Sequence, residues 1–202
     1  MTRYAMVLEP NRCSGCAACA VACKAENGTP PGVWWGKVLT KEIGTYPTAR
    51  ITFMPLLCMH CENPPCVDVC PTGASHRRPN GIVATDYDRC MGCRYCEIAC
   101  PYGARTFLDE IKPYYPEYGF TPYEEMMYQK HQKGVVEKCN FCMERVEKGE
   151  EPACVETCPA HVRHFGDLDD PNSEVSKLIV QRHGYQLLPE LGTDPSVYYL
   201  AP

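Results

Sequence analysis

The feature that most constrains the fold is a run of four cysteines between residues 90 and 101. This stretch reads CMGCRYCEIACP and has the spacing C-x2-C-x2-C-x3-C-P. Three thiolates on one tight loop can bind three corners of a cubic iron–sulfur cluster, whereas the fourth points away and ligates a second cluster. One such run therefore predicts a partner run elsewhere in the chain.

Three further runs account for every other cysteine of the 202 residues. The first run has the same spacing as the third, and NRCSGCAACAVAC (11–23) aligns with DRCMGCRYCEIAC (88–100) without gaps, at an offset of 77 residues. The second run (C-x2-C-x4-C-x3-C-P) is answered by the fourth (C-x2-C-x11-C-x3-C-P), so the order A, B, A′, B′ indicates duplication. In chain order the runs are Cys13, Cys16, Cys19 and Cys23; Cys58, Cys61, Cys66 and Cys70; Cys90, Cys93, Cys96 and Cys100; and Cys139, Cys142, Cys154 and Cys158.

Three chemistries compete for these 16 cysteines. Disulfides need an oxidising compartment and side chains within reach, but not four copies of one spacing with proline after three of the final cysteines. Zinc is bound by two separated C-x2-C pairs and has no use for another cysteine three residues on. A cubic cluster explains both features, and four clusters of four ligands leave no cysteine over. We therefore predict four 4Fe–4S clusters, with the 16 cysteines as iron ligands.

The charge of the chain argues against nucleic acid as a partner. The net charge is −5, and 16 thiolates around four 2+ cores would take it to about −13. No basic run is present that could neutralise phosphates. Four basic residues beside ligands could shield the clusters or could be solvated surface charges: Arg12, Arg89, Arg94 and Lys138.

Outside the cysteine runs the pattern predicts a few short elements. A helix capped by Asn172 or Ser173 is expected to run to about His183. A second helix is expected near 122–132. Strands are expected at 4–8, 50–53, 81–86 and 162–165. The tail, LLPELGTDPSVYYLAP, contains so many Pro and Gly residues that we expect it to lie extended over a neighbouring subunit.

Several residues could belong either to a site or to ordinary packing. His60 lies inside the second run, but four thiolates already complete the ligand set, which favours packing or a hydrogen bond. The adjacent Trp34 and Trp35 could anchor an interface, although local packing is favoured. The Tyr-rich segment 106–132 could be a protein interface or a self-packed loop.

No stretch reaches the ~18 uncharged apolar residues of a membrane span, and the N-terminal residues resemble no signal peptide. We therefore expect that the chain is not directed to its compartment by its own sequence.

The complete pattern closely resembles the four-cluster electron-transfer subunit of the molybdopterin oxidoreductase (dimethyl sulfoxide reductase) family. The resemblance extends from YAMVLEPNRC through CMHCENPPCVDVCPTGA and CPAHVRHFGDLDDP to GTDPSVYY. Its length is most similar to the polysulfide/thiosulfate and respiratory arsenate reductase members. The resemblance implies an α+β fold built as a duplicated bacterial-type ferredoxin. One unit would comprise 1–57 and 133–202, the other 58–105, with 106–132 as an insertion.

In that family the first run pairs with the fourth and the second with the third. The resemblance therefore implies four ligand sets: Cys13, Cys16, Cys19 and Cys158 (cluster 1); Cys23, Cys139, Cys142 and Cys154 (cluster 2); Cys58, Cys61, Cys66 and Cys100 (cluster 3); and Cys70, Cys90, Cys93 and Cys96 (cluster 4). It also implies that this is their order from the molybdenum subunit to the membrane anchor.

The implied function is electron relay without a catalytic site in this chain. Single electrons would pass between a quinone-linked integral membrane anchor and a large molybdopterin subunit holding molybdenum or tungsten, in anaerobic respiration. The resemblance also implies membrane association through these partners, on the periplasmic side after export with the catalytic subunit, with the cytoplasmic side as the alternative. The alternative is a polyferredoxin-type relay serving a hydrogenase or a soluble dehydrogenase.

Overall fold

Short helices and short strands alternate along residues 2–201, the part of the chain that the computed structural model describes. This mixture agrees with the predicted α+β class. The helices are α1 (Ala18–Asn27), α2 (Pro65–Asp68), α3 (Tyr95–Ile98), α4 (Pro122–Met127), α5 (Met143–Val146), α6 (Ala153–Glu156) and α7 (Glu174–Gln181). The strands are β1 (Tyr4–Leu8), β2 (Gly36–Ile43), β3 (Arg50–Leu57), β4 (Ser75–Arg77), β5 (Val83–Thr85), β6 (Arg105–Phe107), β7 (Val136–Lys138), β8 (Arg163–Asp167) and β9 (Val197–Tyr199).

The proline after the last cysteine of a run explains why three of the helices are only one turn long. A proline disfavours the helical conformation of the residue before it. Helices α2, α3 and α6 accordingly end just before the Cys-Pro pairs that begin at Cys70, Cys100 and Cys158. Lys24 replaces proline in the first run, and α1 continues to Asn27. The Lys24 ammonium then donates hydrogen bonds to three carbonyl oxygens of residues 29–33, at 2.8–3.2 Å.

Both ends of the chain meet in a three-stranded sheet of order β8-β1-β9. Strand β1 runs antiparallel to β8 and parallel to β9, with Met6 opposite Phe165 on one side and Val197 on the other. The expectation that the tail covers a neighbouring subunit is therefore wrong for its last residues. Because Val197, Tyr199 and Leu200 are buried in this chain's own core, apolar burial outweighs the Pro and Gly signals nearby.

We expect Tyr199→Ala to destabilise the protein strongly. The Tyr199 side chain is fully buried, and its hydroxyl donates to the Pro55 carbonyl oxygen at 2.9 Å. Truncating a large buried aromatic ring costs about 3–5 kcal/mol, which for a chain of this length lowers the melting temperature by at least about 6 °C. Thermal unfolding of the cluster-loaded protein measures the change. Tyr118→Ala, at a side chain that is 84% exposed, is the control. Equal melting temperatures for both variants would contradict the role given to β9.

The remaining strands form three antiparallel pairs, β2–β3, β4–β5 and β6–β7. Strand β3 is longer than the predicted 50–53, because its pairing with β2 continues to Leu57 opposite Gly36. Strand β6 follows the third cysteine run and β7 precedes the fourth. Residues 108–135 therefore leave and re-enter the fold at one pair of strands.

The Tyr-rich segment is anchored to the rest of its own chain at a few points, although most of its residues are exposed. Helix α4 begins at a capping box in which Thr121 and Glu124 bond each other's backbone N–H. The Tyr114 hydroxyl donates to the Thr29 carbonyl at 3.3 Å, and that of Tyr123 donates to the Ala25 carbonyl at 2.5 Å. Tyr128 is buried, whereas the rings of Tyr114, Tyr115, Tyr118 and Tyr123 remain exposed. The predicted helix near 122–132 is thus α4 followed by a 3-10 turn at Tyr128–Lys130.

Helix α7 matches its prediction within two residues. Its N-cap is Ser173, whose hydroxyl accepts a hydrogen bond from the Ser176 amide at 3.2 Å. Val175 packs with Val7 and Leu200, which fixes the helix against the three-stranded sheet.

Candidate iron–sulfur sites

The two gap-free repeats share one backbone conformation. Gly15 and Gly92 have φ of +72° and +73°, and the residues two further on, Ala17 and Arg94, have φ of +58° and +62°. A Cβ on Gly92 would lie 2.3 Å from the Gly134 carbonyl oxygen, so only glycine fits there. These left-handed turns curl each C-x2-C-x2-C loop, which brings its first three cysteines together.

Four thiols from the two ends of the chain surround one small cavity. Cys13, Cys16 and Cys19 come from the loop before α1, and Cys158 comes from the end of the fourth run. The backbone N–H of Val162 donates to the Cys158 sulfur at 3.4 Å. Sequence reasoning assigned these four cysteines to one cluster, and they line the same cavity.

The second predicted set lies deeper in the core. Cys23, Cys139 and Cys142 are buried, and Cys154 is partly buried. The Asn27 side-chain amide approaches the sulfurs of Cys23 and Cys142 at 3.6 and 3.9 Å. Burial, together with Cys154 and Cys142 as neighbours, raises the pKa of the Cys23 thiol to about 12. Thiols in such a place become thiolates readily only with a cation among them.

The third predicted set also shares a cavity, lined by Cys58, Cys61, Cys66 and Cys100. Here too burial, and then the neighbouring Cys58, raise the pKa of the Cys61 thiol to about 12. The fourth set lies nearer the surface. Cys90 and Cys70 are both close enough to Cys96 to act on its pKa, which burial raises. The Ser75 amide donates to the Cys70 sulfur at 3.3 Å, and Cys93 is half-buried on the same loop.

The first set of cysteines lies close to the second in the folded chain, and the second lies close to the third. Cys19 of the first set is among the groups acting on the pKa of Cys154 of the second, and Cys58 of the third acts on that of Cys139 of the second. Between the second and third sets lies the fully buried His60. Its ring stacks on Phe141 with centroids 3.7 Å apart, and its Nδ1 accepts the Val83 N–H at 3.1 Å. The prediction that His60 packs and bonds rather than ligates therefore agrees with its surroundings.

Two arginines that the sequence analysis overlooked donate directly to cysteine sulfurs. Arg105 Nη2 lies 3.1 Å from the Cys66 sulfur, and Arg163 Nη2 lies 3.4 Å from the Cys19 sulfur. Both are buried, and the Nε–H of Arg105 has no partner among residues 2–201. The available signal was positional, because each arginine follows the last cysteine of its run by five residues, in CPYGAR and CPAHVR.

The basic residues singled out from the sequence have other partners. Arg12 and Arg94 form surface ion pairs with Glu9 and Glu97. Arg89 donates to the Thr72 carbonyl at 2.7 Å. Lys138 is buried, and its ammonium bonds the carbonyl oxygens of Val83 and Cys139. None of these four donates to a cysteine sulfur among residues 2–201.

The donor chemistry fits a cluster. Thiols surround two cavities in fours, N–H groups point at several of the sulfurs, and one buried guanidinium N–H beside them has no partner among residues 2–201. Within residues 2–201 no three His, Cys, Asp or Glu side chains are arranged to hold a single metal ion. Tetrahedral zinc would require thiolate sulfurs about 3.8 Å apart.

The chain matches models of iron–sulfur domains along most of its length. A family model described as a 4Fe–4S dicluster domain matches residues 49–115 and 116–168. A second model of the same description matches residues 12–74. Together with the thiol sites, these matches define a 4Fe–4S dicluster protein of the ferredoxin type.

Similar proteins indicate which kind of 4Fe–4S dicluster protein this chain is. A Halobacterium salinarum protein described as a dimethyl sulfoxide reductase iron–sulfur subunit is 49% identical over 99% of this chain and 79% of its own length. A sulfite dehydrogenase subunit of Allochromatium vinosum is 44% identical, covering 99% of this chain and 83% of its own. The arsenate respiratory reductase iron–sulfur subunit of a Shewanella species is 39% identical, covering 98% and 96%. The chain belongs to the family of electron-transfer iron–sulfur subunits of the molybdopterin oxidoreductases, which are not the catalytic subunits. These relatives favour this function over the polyferredoxin relay.

No helix within residues 2–201 has the length and apolar character needed to cross a membrane.

Proposed function

We propose that this chain holds four 4Fe–4S clusters and relays single electrons between a quinone-linked membrane anchor and a molybdopterin catalytic subunit. The observation that carries the proposal is the grouping of the cysteines, in which thiols of distant runs line common cavities. Each cluster supplies a centre that takes up and gives back one electron. The protein's part is to hold the centres in order, exclude water and set their potentials by hydrogen bonds and charge.

The proposed ligand sets are those that the family resemblance implies. Cluster 1 is held by Cys13, Cys16, Cys19 and Cys158, and cluster 2 by Cys23, Cys139, Cys142 and Cys154. Cluster 3 is held by Cys58, Cys61, Cys66 and Cys100, and cluster 4 by Cys70, Cys90, Cys93 and Cys96. The shared cavities and the mutual effects of the thiols on one another's pKa support this pairing.

The proposed order of the chain of clusters is 1, 2, 3, 4 from the catalytic subunit to the anchor. Support for adjacency comes from the approach of Cys19 to Cys154 and of Cys58 to Cys139. The names of the relatives, subunits of reductases and of a dehydrogenase, support a catalytic partner. Membrane association through partners, on the periplasmic side, belongs to the same proposal.

We also propose that the fold is a duplicated ferredoxin, with 1–57 and 133–202 as one unit, 58–105 as the other and 106–132 inserted. The matched φ angles of Gly15 and Gly92, and of Ala17 and Arg94, support a duplication.

We expect metal analysis to find about 16 iron atoms and 16 inorganic sulfides per chain, because four complete ligand sets are present. The protein is purified anaerobically together with its large subunit, whose copurification tests the catalytic partner. Iron and sulfide are assayed chemically, with zinc measured in the same sample. About 12 iron atoms per chain, or appreciable zinc, would overturn the four-cluster proposal.

A further inference from the structure

Two buried arginines occupy matched places that the relay function leaves unexplained. Arg105 is the first residue of β6 and Arg163 the first of β8, and only 5% and 4% of their surfaces are exposed. Neither guanidinium forms an ion pair with a carboxylate of residues 2–201. A buried charge without a counter-charge costs several kcal/mol, so each arginine requires negative charge from another source.

Arg163 contacts thiols that belong to two different ligand sets. Its Nη2 lies 3.4 Å from the Cys19 sulfur of the first set, and its Nη1 lies 3.7 Å from the Cys154 sulfur of the second. The only other acceptor near its Nη1 within residues 2–201 is the Met6 sulfur at 3.6 Å, which is weak and uncharged. The guanidinium therefore lies between the first two sets and is shared by them.

Arg105 occupies the corresponding place between the third and fourth sets. Its Nη2 donates to the Cys66 sulfur of the third set at 3.1 Å, and its Nη1 to the Thr85 hydroxyl at 3.4 Å. Cys66 of the third set and Cys96 of the fourth belong to one small cluster of buried residues, together with Val83 and Val136, so the guanidinium that contacts Cys66 lies where the two sets meet. Its Nε–H is one of the buried side-chain groups that have no hydrogen-bond partner among residues 2–201.

A shared guanidinium has a definite electrostatic effect. Taking up one electron makes a cluster and its thiolates more negative by one charge, and no proton is required if a fixed cation is already present. Arginine is that cation at every working pH, because its pKa exceeds 12. N–H···S bonds and a neighbouring positive charge both favour the reduced form, so they raise the reduction potential. One arginine between two centres raises both potentials together.

We propose that Arg163 sets the reduction potentials of clusters 1 and 2, and Arg105 those of clusters 3 and 4, each acting as one cation shared by two centres. This inference rests on the proposed function, because it uses the four ligand sets. Each half of the relay would thus have its own arginine that sets the reduction potentials of two clusters. The arginine acts on the cysteine thiolates of those clusters rather than on the partner subunits.

The test is a redox titration of the purified complex followed by electron paramagnetic resonance, on Arg163→Gln and Arg105→Gln. Glutamine keeps a donor and removes the charge. Signals are assigned with cysteine variants of each set. Arg163→Gln should move the midpoint potentials of clusters 1 and 2 to more negative values and leave clusters 3 and 4 unchanged, whereas Arg105→Gln should do the reverse. The matched control is Arg50→Gln, at an exposed arginine at the start of β3 that adjoins no cysteine, and it should leave all four potentials unchanged.

A shift of all four potentials by either buried variant, or of none, would overturn the proposal. If Arg163→Gln loses iron, Arg163→Lys decides. Its ammonium keeps the positive charge between the two sets, so clusters 1 and 2 should stay loaded, with potentials close to those of the unmodified protein. Loss of iron from this variant as well, or a shift of clusters 3 or 4, would refute the proposal. Failure of the proposed function looks different, because the unmodified protein would then contain fewer than four clusters before any arginine is changed.

Discussion

The Cys158→Ala substitution is expected to disrupt the cluster held by Cys13, Cys16 and Cys19, although 139 residues separate Cys19 from Cys158. The reason is that the Cys158 thiol lines the same cavity as the three thiols of the first run. A cluster that loses one of its four thiolates loses iron or falls to a three-iron form. The resonance signal of this cluster should disappear or change type, whereas clusters 3 and 4, which in the proposed pairing draw no ligand from the fourth run, should keep theirs.

Electron paramagnetic resonance of the reduced complex, with iron counted per chain, makes the measurement. Thr157→Ala is the matched control, because Thr157 is the exposed neighbour of Cys158 and should leave all signals intact. Loss of a signal assigned to the second and third runs instead would show that the pairing of runs is wrong.

The Cys93→Ser substitution is expected to stop quinol-linked turnover while sparing dye-linked turnover. Cys93 belongs to the set placed at the anchor end, so damage there interrupts electron flow between the quinone and the rest of the relay. A soluble dye that delivers electrons nearer the catalytic end bypasses the damaged centre. Since removing one thiolate changes both ligation and charge, the effect on the quinol-linked rate should be at least about tenfold.

The chain supplies its own control at the equivalent position of the repeat. Cys16 precedes Cys93 by the repeat offset of 77 residues, and it belongs to the set placed at the catalytic end. Cys16→Ser should therefore lower both rates together. The ratio of quinol-linked to dye-linked turnover in the purified complex separates the two variants. An equal loss of both rates in Cys93→Ser, with its other three clusters intact, would reverse or abolish the assigned order.

The cysteine spacing carried most of the information about the sites, because ligand runs are local patterns. The strand at 4–8 and the helix after Ser173 were also predictable, since both depend on short-range periodicity and capping. Strand β9 was missed because its strand character arises from pairing with β1, nearly the whole chain away. Local Pro and Gly signals carry no information about such a partner.

The buried arginines were missed for a related reason. Arg163 lies four residues before the acidic stretch DLDD and looks like any surface cation, and only the folded chain brings it to the sulfurs of Cys19 and Cys154. Arg12 and Arg94 looked more promising because they adjoin ligands in sequence, yet nearby carboxylates hold them at the surface. Closeness along the chain is thus a poor guide to which cation faces a sulfur. The better guide was the arginine that recurs five residues after the last cysteine of the third and fourth runs.

The shared cavity of Cys13 and Cys158 has a consequence for biosynthesis. A ribosome releases the chain from its N-terminus, so the thiols of the third and fourth sets are all available once residue 100 has emerged. The first set must wait for residue 158, which at translation speeds of about 5–20 residues per second is a delay of about 3–12 s. Through this interval the apolar residues of β1, which β8 and β9 later cover, remain exposed. Cofactor loading should therefore begin in the middle of the nascent chain. The N-terminal segment, although synthesised first, should be the last to bind its cluster and to be covered by β8 and β9.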